Sequence, residues 1–344
     1  MRIVLDAMGS DHAPGVDVRG AVRAARRFGH EMVLVGREQA IRAELEGLDT
    51  DGLTVSVVDA NEVIEMGEHP AQAVRAKKDA SIVVAMRLLR DGEADALVSA
   101  GNSGGVLAAT LVGAGRIGRV PGIDRPAIST LVPAPDGWGF MLDIGANADC
   151  RPEWLVQFAI MGSIYAEKVL GKPNPRVALL SNGEEKTKGN QLVQETHALL
   201  EKHAARLNLV GNVEGTDITE GLADVIVTDG FTGNVAIKTA EGMASMLMSL
   251  LRSEIKSRKL AMLGALLAKP AFRAVASRLD YREFGGAMLL GVNHPVIIAH
   301  GRSDELAIEN AIGVAISAVE ADVISNICEH MAALDKETDR VKRQ

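Results

Sequence analysis

The chain has 344 residues, 47% of them hydrophobic and only 3% aromatic, enough for one large α/β domain or two smaller ones with an aliphatic core. Its net charge of −8 argues against general nucleic-acid binding, which needs a basic footprint. Two cysteines, Cys150 and Cys328, cannot build a disulfide framework and suit a reducing cytoplasm.

The first element is a strand, "RIVLD" (2–6), whose apolar run is too short for a signal peptide. A helix over 16–28 follows, then strands "EMVLVG" (31–36) and "LTVSVVD" (53–59), a helix over 79–91 and strand "DALVSA" (95–100). "SGGVLAATL" (103–111) reads as a helix launched by the loop at 100–105. The run "VGAGRIG" (112–118) behind it matches the glycine fingerprint of dinucleotide-binding folds. That fingerprint needs a strand before it and a helix after it. Here a helix precedes it, and Pro121 and Pro126 follow, so 113–126 reads as a helix exit and loop. Gly115→Ala is therefore expected to disturb stability modestly at most. "AISTLVP" (127–133) and "GFMLD" (139–143) flank the turn signal "APDGW", which predicts an antiparallel pair. Beyond them come a helix over 153–170, strand "RVALLS" (176–181), a helix over 188–203, and strands "DVIVTD" (224–229) and "PVIIAH" (295–300).

This alternation predicts a three-layer α/β fold: an open, mixed, mostly parallel sheet with helices on both faces. Neither repeats nor a low-complexity linker divide the chain, so 1–334 is read as one domain. "DKETDRVKRQ" (335–344) is read as a polar tail. The longest apolar run, "LAMLGALLA" (260–268), is too short to span a bilayer, which predicts a soluble or peripheral protein.

Six predicted strands end in small, polar, glycine-containing clusters, at 5–11, 98–105, 142–149, 180–190, 227–234 and 298–304. Ligands of open α/β sheets bind beyond the carboxyl ends of strands. Six clusters on one edge are expected to line a long cleft. "AGNSGG" and "DGFTGN" each lead into a helix, and glycine amides at a helix start suit an anion. Lys186 and Lys188 add charge. No GxxxxGK[ST], HExxH, paired CxxC or GxSxG sequence is present, so no metal site or P-loop is expected. Ser103 and Cys150 read more readily as a cap and a packed residue than as nucleophiles.

The stretches "LDAMGSDHAP", "SAGNSGG", "GIDRPAI", "LDIGAN", "NGEEKTKGN", "TDGFTGNVAIKTAEG" and "FGGAMLLGVNHPVIIAHGRSD" run in order from 5 to 304. Together they resemble the bacterial phosphate acyltransferases of phospholipid synthesis. The start departs slightly, with Ser10 where a second glycine is expected. The resemblance implies a fold similar to phosphotransacetylases and isocitrate-type dehydrogenases. It implies an acyl phosphate made from acyl-[acyl-carrier protein] and inorganic phosphate, without cofactor. It implies a homodimer at an anionic membrane surface, whose product feeds a glycerol-3-phosphate acyltransferase.

On that basis Lys188, Asn234 and His300 are expected to be catalytic. Asn102, Ser103, Gly104 and Gly105 would cradle phosphate, with Asp6, Asp143, Asn147, Asp229, Thr232 and Gly233 binding or orienting substrate. Lys186 is the rival to Lys188.

The segment 252–282 holds eight basic residues against Glu254 and Asp280, a local +6. It lies in a helical hairpin expected over 240–284, with Pro270 dividing it. Arg258, Lys259, Leu263, Leu266, Leu267, Lys269, Phe272, Arg273 and Arg278 are expected to dock a membrane or the acidic carrier. A dimer interface is the alternative. Two other readings of the whole chain are a nicotinamide-dependent oxidoreductase, from 112–118, and a non-catalytic membrane scaffold, from 252–282.

Overall fold

The computed structural model describes residues 1–342 except Asp136, Ala204, Ala205 and Asp280, without the side chains of 276–281 and 334–342. The strands are β1 (Arg2–Asp6), β2 (Glu31–Gly36), β3 (Val55–Asp59), β4 (Ala96–Ser99), β5 (Ala127–Ala134), β6 (Gly137–Leu142), β7 (Arg176–Leu180), β8 (Asn208–Val213), β9 (Val225–Val227), β10 (Ala287–Leu290) and β11 (Val296–Ile298). The helices are α1 (Gly15–Phe28), α2 (Glu38–Glu46), α3 (Pro70–Ala76), α4 (Ser81–Arg90), α5 (Ser103–Leu111), α6 (Pro152–Lys168), α7 (Gln191–Lys202), α8 (Gly230–Ser257), α9 (Lys259–Leu267), α10 (Lys269–Leu279), α11 (Tyr281–Phe284), α12 (Glu305–Glu320) and α13 (Val323–Lys342).

The strands form one 11-stranded sheet in the order β3-β2-β1-β4-β11-β10-β5-β6-β9-β7-β8. The first five run parallel, β10 is antiparallel to both neighbours, and β5 and β6 are the antiparallel pair predicted from the turn between them. β6, β9, β7 and β8 are again parallel. Three antiparallel steps separate β11 from β6, so the two parallel halves point in opposite directions. This corrects the expectation of six clusters on one edge. The ends of β1, β4 and β11 share one edge, and those of β6, β7 and β9 share the opposite one.

β8 and β10 are strands the sequence reading left out. "NLVGNV" is interrupted by Gly211 and meets β7 with a register shift at Val177/Ala178. "AMLL" is four residues set between glycines. Neither carries a long enough apolar run to stand out.

The inner parallel strands are buried on both faces, which explains their continuous aliphatic runs, while the edge strands β3 and β8 are partly exposed. Each fully buried Ile, Leu or Val contributes roughly 1.5–3 kcal/mol over leaving it in water. α1 turns Val18, Ala21, Val22 and Ala25 inward and ends at Gly29, whose φ of 71° suits glycine. Its outer arginines pair with α12: Arg19 with Glu305 at 2.5 Å, Arg23 and Arg27 with Glu309 at 2.7 and 2.9 Å. α6 covers the second half, with Tyr165 stacked on Phe140 at 4.3 Å.

Among the described residues no single helix is long and apolar enough to cross a membrane. α13 runs as helix to Lys342, into the segment read as a tail.

The basic segment forms α9, α10 and the end of α8. The break falls at Ala268, and Pro270 sits in the first turn of α10, where a missing N–H costs nothing. α8 to α10 expose Met243, Met246, Leu247, Leu250, Leu251, Leu260, Met262, Leu263, Leu266, Leu267 and Val275. Leu260 and Leu267 are 87% and 79% exposed, so these side chains cover no core of this chain. Arg258, Lys259, Lys269 and Arg273 are exposed beside them and Phe272 is half-buried. The side chain of Arg278 lies outside the described residues.

Candidate active site

The ends of β1, β4 and β11 interlock through their polar residues. The Ser99 hydroxyl donates to Asp6 Oδ2 at 2.7 Å and accepts from the Gly101 amide at 3.1 Å. The Asp11 amide donates to the Gly301 carbonyl at 2.7 Å. Gly9 packs on Gly101 so closely that a Cβ would stand 2.6 Å from its nitrogen. Asp6 is buried, and burial raises its pKa against the hydrogen bonds it accepts from Ser81, Ser99 and the Met8 amide. Ser10, the departure from the family pattern, donates at 2.6 Å to buried Asp17. Asn102 caps α5: its Oδ1 accepts from the Gly105 amide at 3.1 Å, while its Nδ2 donates to the Met66 carbonyl at 3.1 Å. The side chain of Asn102 is thus engaged in holding the loop. Gly104 lies against Pro70, where a Cβ would come within 2.8 Å.

At the opposite edge Asp143 is an organising anchor. Its Oδ1 accepts from the amides of Ile128, Gly145 and Ala146, and its Oδ2 from the amide and side chain of Asn147, all between 2.8 and 3.1 Å. Burial raises its pKa and these donors oppose the rise. Asp229 caps α8, accepting from the Thr232 amide at 2.8 Å and the Thr232 hydroxyl at 2.7 Å. α8 then presses against the Asp143 loop: a Cβ on Gly233 would stand 2.0 Å from the Asp143 carbonyl oxygen. Asp143, Asn147, Asp229, Thr232 and Gly233 therefore build the loop and helix start that aim Asn234. One N–H of Asn234 reaches the Ile144 carbonyl at 3.1 Å, which leaves its second N–H for a ligand.

Between the two edges lies a cavity of about 740 Å³, bounded by one face of β5, by α8 and by the end of β11. Ile128, Val132, Ile144, Ile218, Ile237 and Phe284 give it an apolar wall. Its polar groups include Ser103, Thr130, Asn234, Lys238, Thr239, Glu241, His300 and Ser303. Asn234 and His300 thus share one cavity although their strands point in opposite directions, because α8 carries one polar face past both. Glu241 Oε2 accepts from Lys238 Nζ at 2.9 Å and lies 3.9 Å from Arg302, while Glu241 Oε1 is 3.8 Å from His300 Nε2. Burial holds the His300 pKa below its usual value, and Glu241 pulls against that.

Lys238 and Glu241 were missed in the sequence. A signal was there: in "NVAIKTAEG", Asn234, Lys238 and Glu241 recur at i, i+4 and i+7 on one helix face. Lys188 is not among the cavity's lining residues; it is exposed in the loop 181–190. β7 neighbours β9, so that loop shares an edge with Asn234. Lys186 is held by Glu201 at 2.6 Å on the same loop. Gly189, at φ 91°, packs against Val193 at the start of α7, a place no side chain fits.

The run 112–118 leaves α5 and enters β5 through an irregular loop, so the strand–turn–helix of a dinucleotide site is missing there. The expectation for Gly115 is corrected, however. A Cβ there would lie 2.5 Å from the Val83 carbonyl oxygen and 3.0 Å from Met86 Cβ. The glycine permits the loop's close approach to α4.

A family model described as "Fatty acid synthesis protein" matches residues 1–326. A phosphate acyltransferase of Heliobacterium modesticaldum is 53% identical over 332 residues, covering 96% of this chain and 98% of that protein. One from Dictyoglomus turgidum is 51% identical over 341 residues, covering 99% of each. Among solved structures, a phosphotransacetylase from Streptococcus pyogenes aligns with a TM-score of 0.61 at 20% identity, over 93% of this chain and 94% of that one. A branched-chain phosphotransacylase from Enterococcus faecalis V583 aligns with a TM-score of 0.57 at 16% identity, over 93% and 99%. These two structures share the fold.

Proposed function

The chain belongs to the fatty acid synthesis protein family and is a phosphate acyltransferase, and from that premise we propose that it converts acyl-[acyl-carrier protein] and inorganic phosphate into acyl phosphate. The observation that carries this reading is the cavity itself. Its apolar wall suits an acyl chain, and Asn234 and His300 lie on its polar side.

Phosphate is already anionic near neutral pH and needs no strong base. One of its oxygens attacks the thioester carbon, a C–O bond forms, and negative charge builds on the former carbonyl oxygen. The free N–H of Asn234 and an N–H of His300 stabilise that oxygen. The C–S bond then breaks and the sulfur leaves as thiolate, which takes a proton from solvent. A thiol titrates near roughly 8.5, so this leaving group needs little help. Binding phosphate beside the thioester supplies effective concentration. The first turn of α5, with Ser103 and Gly104, offers donors for phosphate on the cavity side. Two lysines compete for the charged role. Lys188 shares an edge with Asn234, on the exposed loop 181–190. Lys238 already lines it.

The product would be consumed by a glycerol-3-phosphate acyltransferase at a membrane, where the exposed leucines and basic residues of α8–α10 would adsorb to anionic lipid. The protein would act there as a homodimer.

The test is phosphate-dependent release of free thiol from acyl-carrier protein. Stoichiometric acyl phosphate is expected. Thiol release without phosphate dependence would overturn the reading. In the same assay, loss of turnover in Lys188→Ala with Lys238→Ala near normal assigns the charge to the loop 181–190; the reverse assigns it to α8.

A further inference from the structure

A second positively charged surface lies away from the hairpin. The loop 112–126 and the start of α6 enclose two adjoining concavities of about 510 and 660 Å³. Arg116, Arg119, Arg125 and Arg151 line them, against Asp124 and Glu153. The guanidiniums of Arg125 and Arg151 lie over the Trp154 ring, 5.1 and 5.8 Å from its centroid.

Among the described residues none of these four arginines meets a carboxylate at ion-pair distance. Arg119 donates to the backbone carbonyl of Asp124, and the Asp124 carboxylate is taken by Gln157 at 2.9 Å. The arginines of α1, by contrast, are paired with Glu305 and Glu309. In the groove four exposed guanidiniums instead gather in one place on a chain of net charge −8. Stacking on one tryptophan holds two of them in place without neutralising them.

The surface is suited to protein rather than lipid. None of the chain's large exposed apolar side chains lies in 111–126 or 151–154. An adsorbing membrane face needs such side chains, and the hairpin has them. Carboxylates of a partner helix, by contrast, match arginine forks directly.

The groove also adjoins the proposed chemistry. Pro126, next to Arg125, accepts from Asn147 Nδ2 at 2.8 Å. The Asn147 carbonyl accepts from the Gly230 amide at 2.7 Å, at the head of the helix that carries Asn234. A partner seated on the groove thus stands beside the Asn234 end of the cavity.

We propose that this arginine groove is where the acidic carrier protein docks to deliver its acyl thioester. The proposal rests on the acyl-carrier reading above, and it moves carrier docking from the hairpin to the groove.

The test compares wild type with a double variant, Arg125→Glu with Arg151→Glu. Carrier binding is followed by fluorescence anisotropy at low and high salt. Turnover is measured on acyl-carrier protein and on the acyl thioester of pantetheine. In the variant, carrier affinity should fall by about tenfold or more, with the salt dependence flattened. kcat at saturating carrier and turnover of acyl-pantetheine should stay near wild type. Arg125→Gln with Arg151→Gln should be intermediate, and its thermal melting checks that the fold survives. Unchanged carrier affinity in the glutamate variant overturns the proposal. So does equal loss on both thioesters, or a change of oligomeric state in sedimentation, which would make the groove a contact between copies. Wild type that binds carrier yet releases no thiol with phosphate would fail the reaction reading and leave the docking site standing.

Discussion

The hairpin and the arginine groove are both positive surfaces on an acidic chain, yet they are built from different material. The hairpin projects mixed Lys and Arg among exposed leucines and methionines. The basic residues of the groove are all arginine, two of them over one tryptophan, and its loop packs against α4. Charge can draw in either an anionic membrane or an acidic protein; apolar content decides which one is retained. The difference predicts a division of labour, with lipid on the hairpin, carrier on the groove and chemistry between them.

The sharpest way to break that division is to alter the middle. Asn234→Ala should lower kcat by about 100-fold, while vesicle adsorption and carrier affinity stay unchanged. A matching loss of either affinity in steady-state and binding measurements would show that surface and site are not separate.

The hairpin comes next. Leu263→Glu with Leu266→Glu should weaken partitioning into anionic vesicles by roughly tenfold or more in a sedimentation assay, because apolar contact is lost and negative charge added. Turnover of a soluble thioester and the melting temperature should hold. If soluble turnover collapses while vesicle binding persists, these leucines cover another copy of the chain.

Gly115→Ala tests how firmly the groove's loop is fixed. The new methyl would press on the Val83 carbonyl, so a loss of about 1–3 kcal/mol is expected, read as a lower denaturant midpoint. The hairpin double variant should show no such loss. Nucleotide binding by either protein in calorimetry would contradict the loop assigned to 112–118.

The smallest effect concerns pH. Arginine and lysine keep their charge between pH 5 and 8, so the basic residues of the two surfaces do not change there. Burial pushes Asp17 up to about 8, and its Oδ1 has no hydrogen-bond partner. A carboxyl raised on folding favours the native state at low pH and loses that contribution as pH climbs toward its folded value. Asp17→Asn should therefore narrow the difference in melting temperature between pH 5 and pH 8 by a few degrees. An unchanged difference would place the titration elsewhere.

Much of this was legible in the sequence because parallel strands buried on both faces must be aliphatic throughout, as in "MVLV" and "IVLD". Strand direction was not legible. Nothing in a run such as "MLLG" says which way its neighbour points, and overlooking β10 hid two of the three reversals. The site was readable where the backbone demands glycine, as at Gly189 and Gly233. Its polar residues were harder to sort, since Asp143 and Asp229 look like ligands in a string and prove to be loop anchors and caps. Lys238 and Glu241 escaped because their partner, His300, stands 59 positions from Glu241 in the chain.

The reversal of the sheet also has a consequence for how the chain assembles during synthesis. β5 to β9 come from one unbroken stretch, 127–227, while the other half needs β11 from 296–298 to complete it. Until that strand emerges, β4 carries an open edge. The later half of the sheet can therefore fold first, while the earlier half waits for a contact some two hundred residues downstream, the longest-range strand pairing in the sheet. A nascent chain halted before residue 287 would hold the paired later strands beside an exposed β4 edge, open to pairing with another chain.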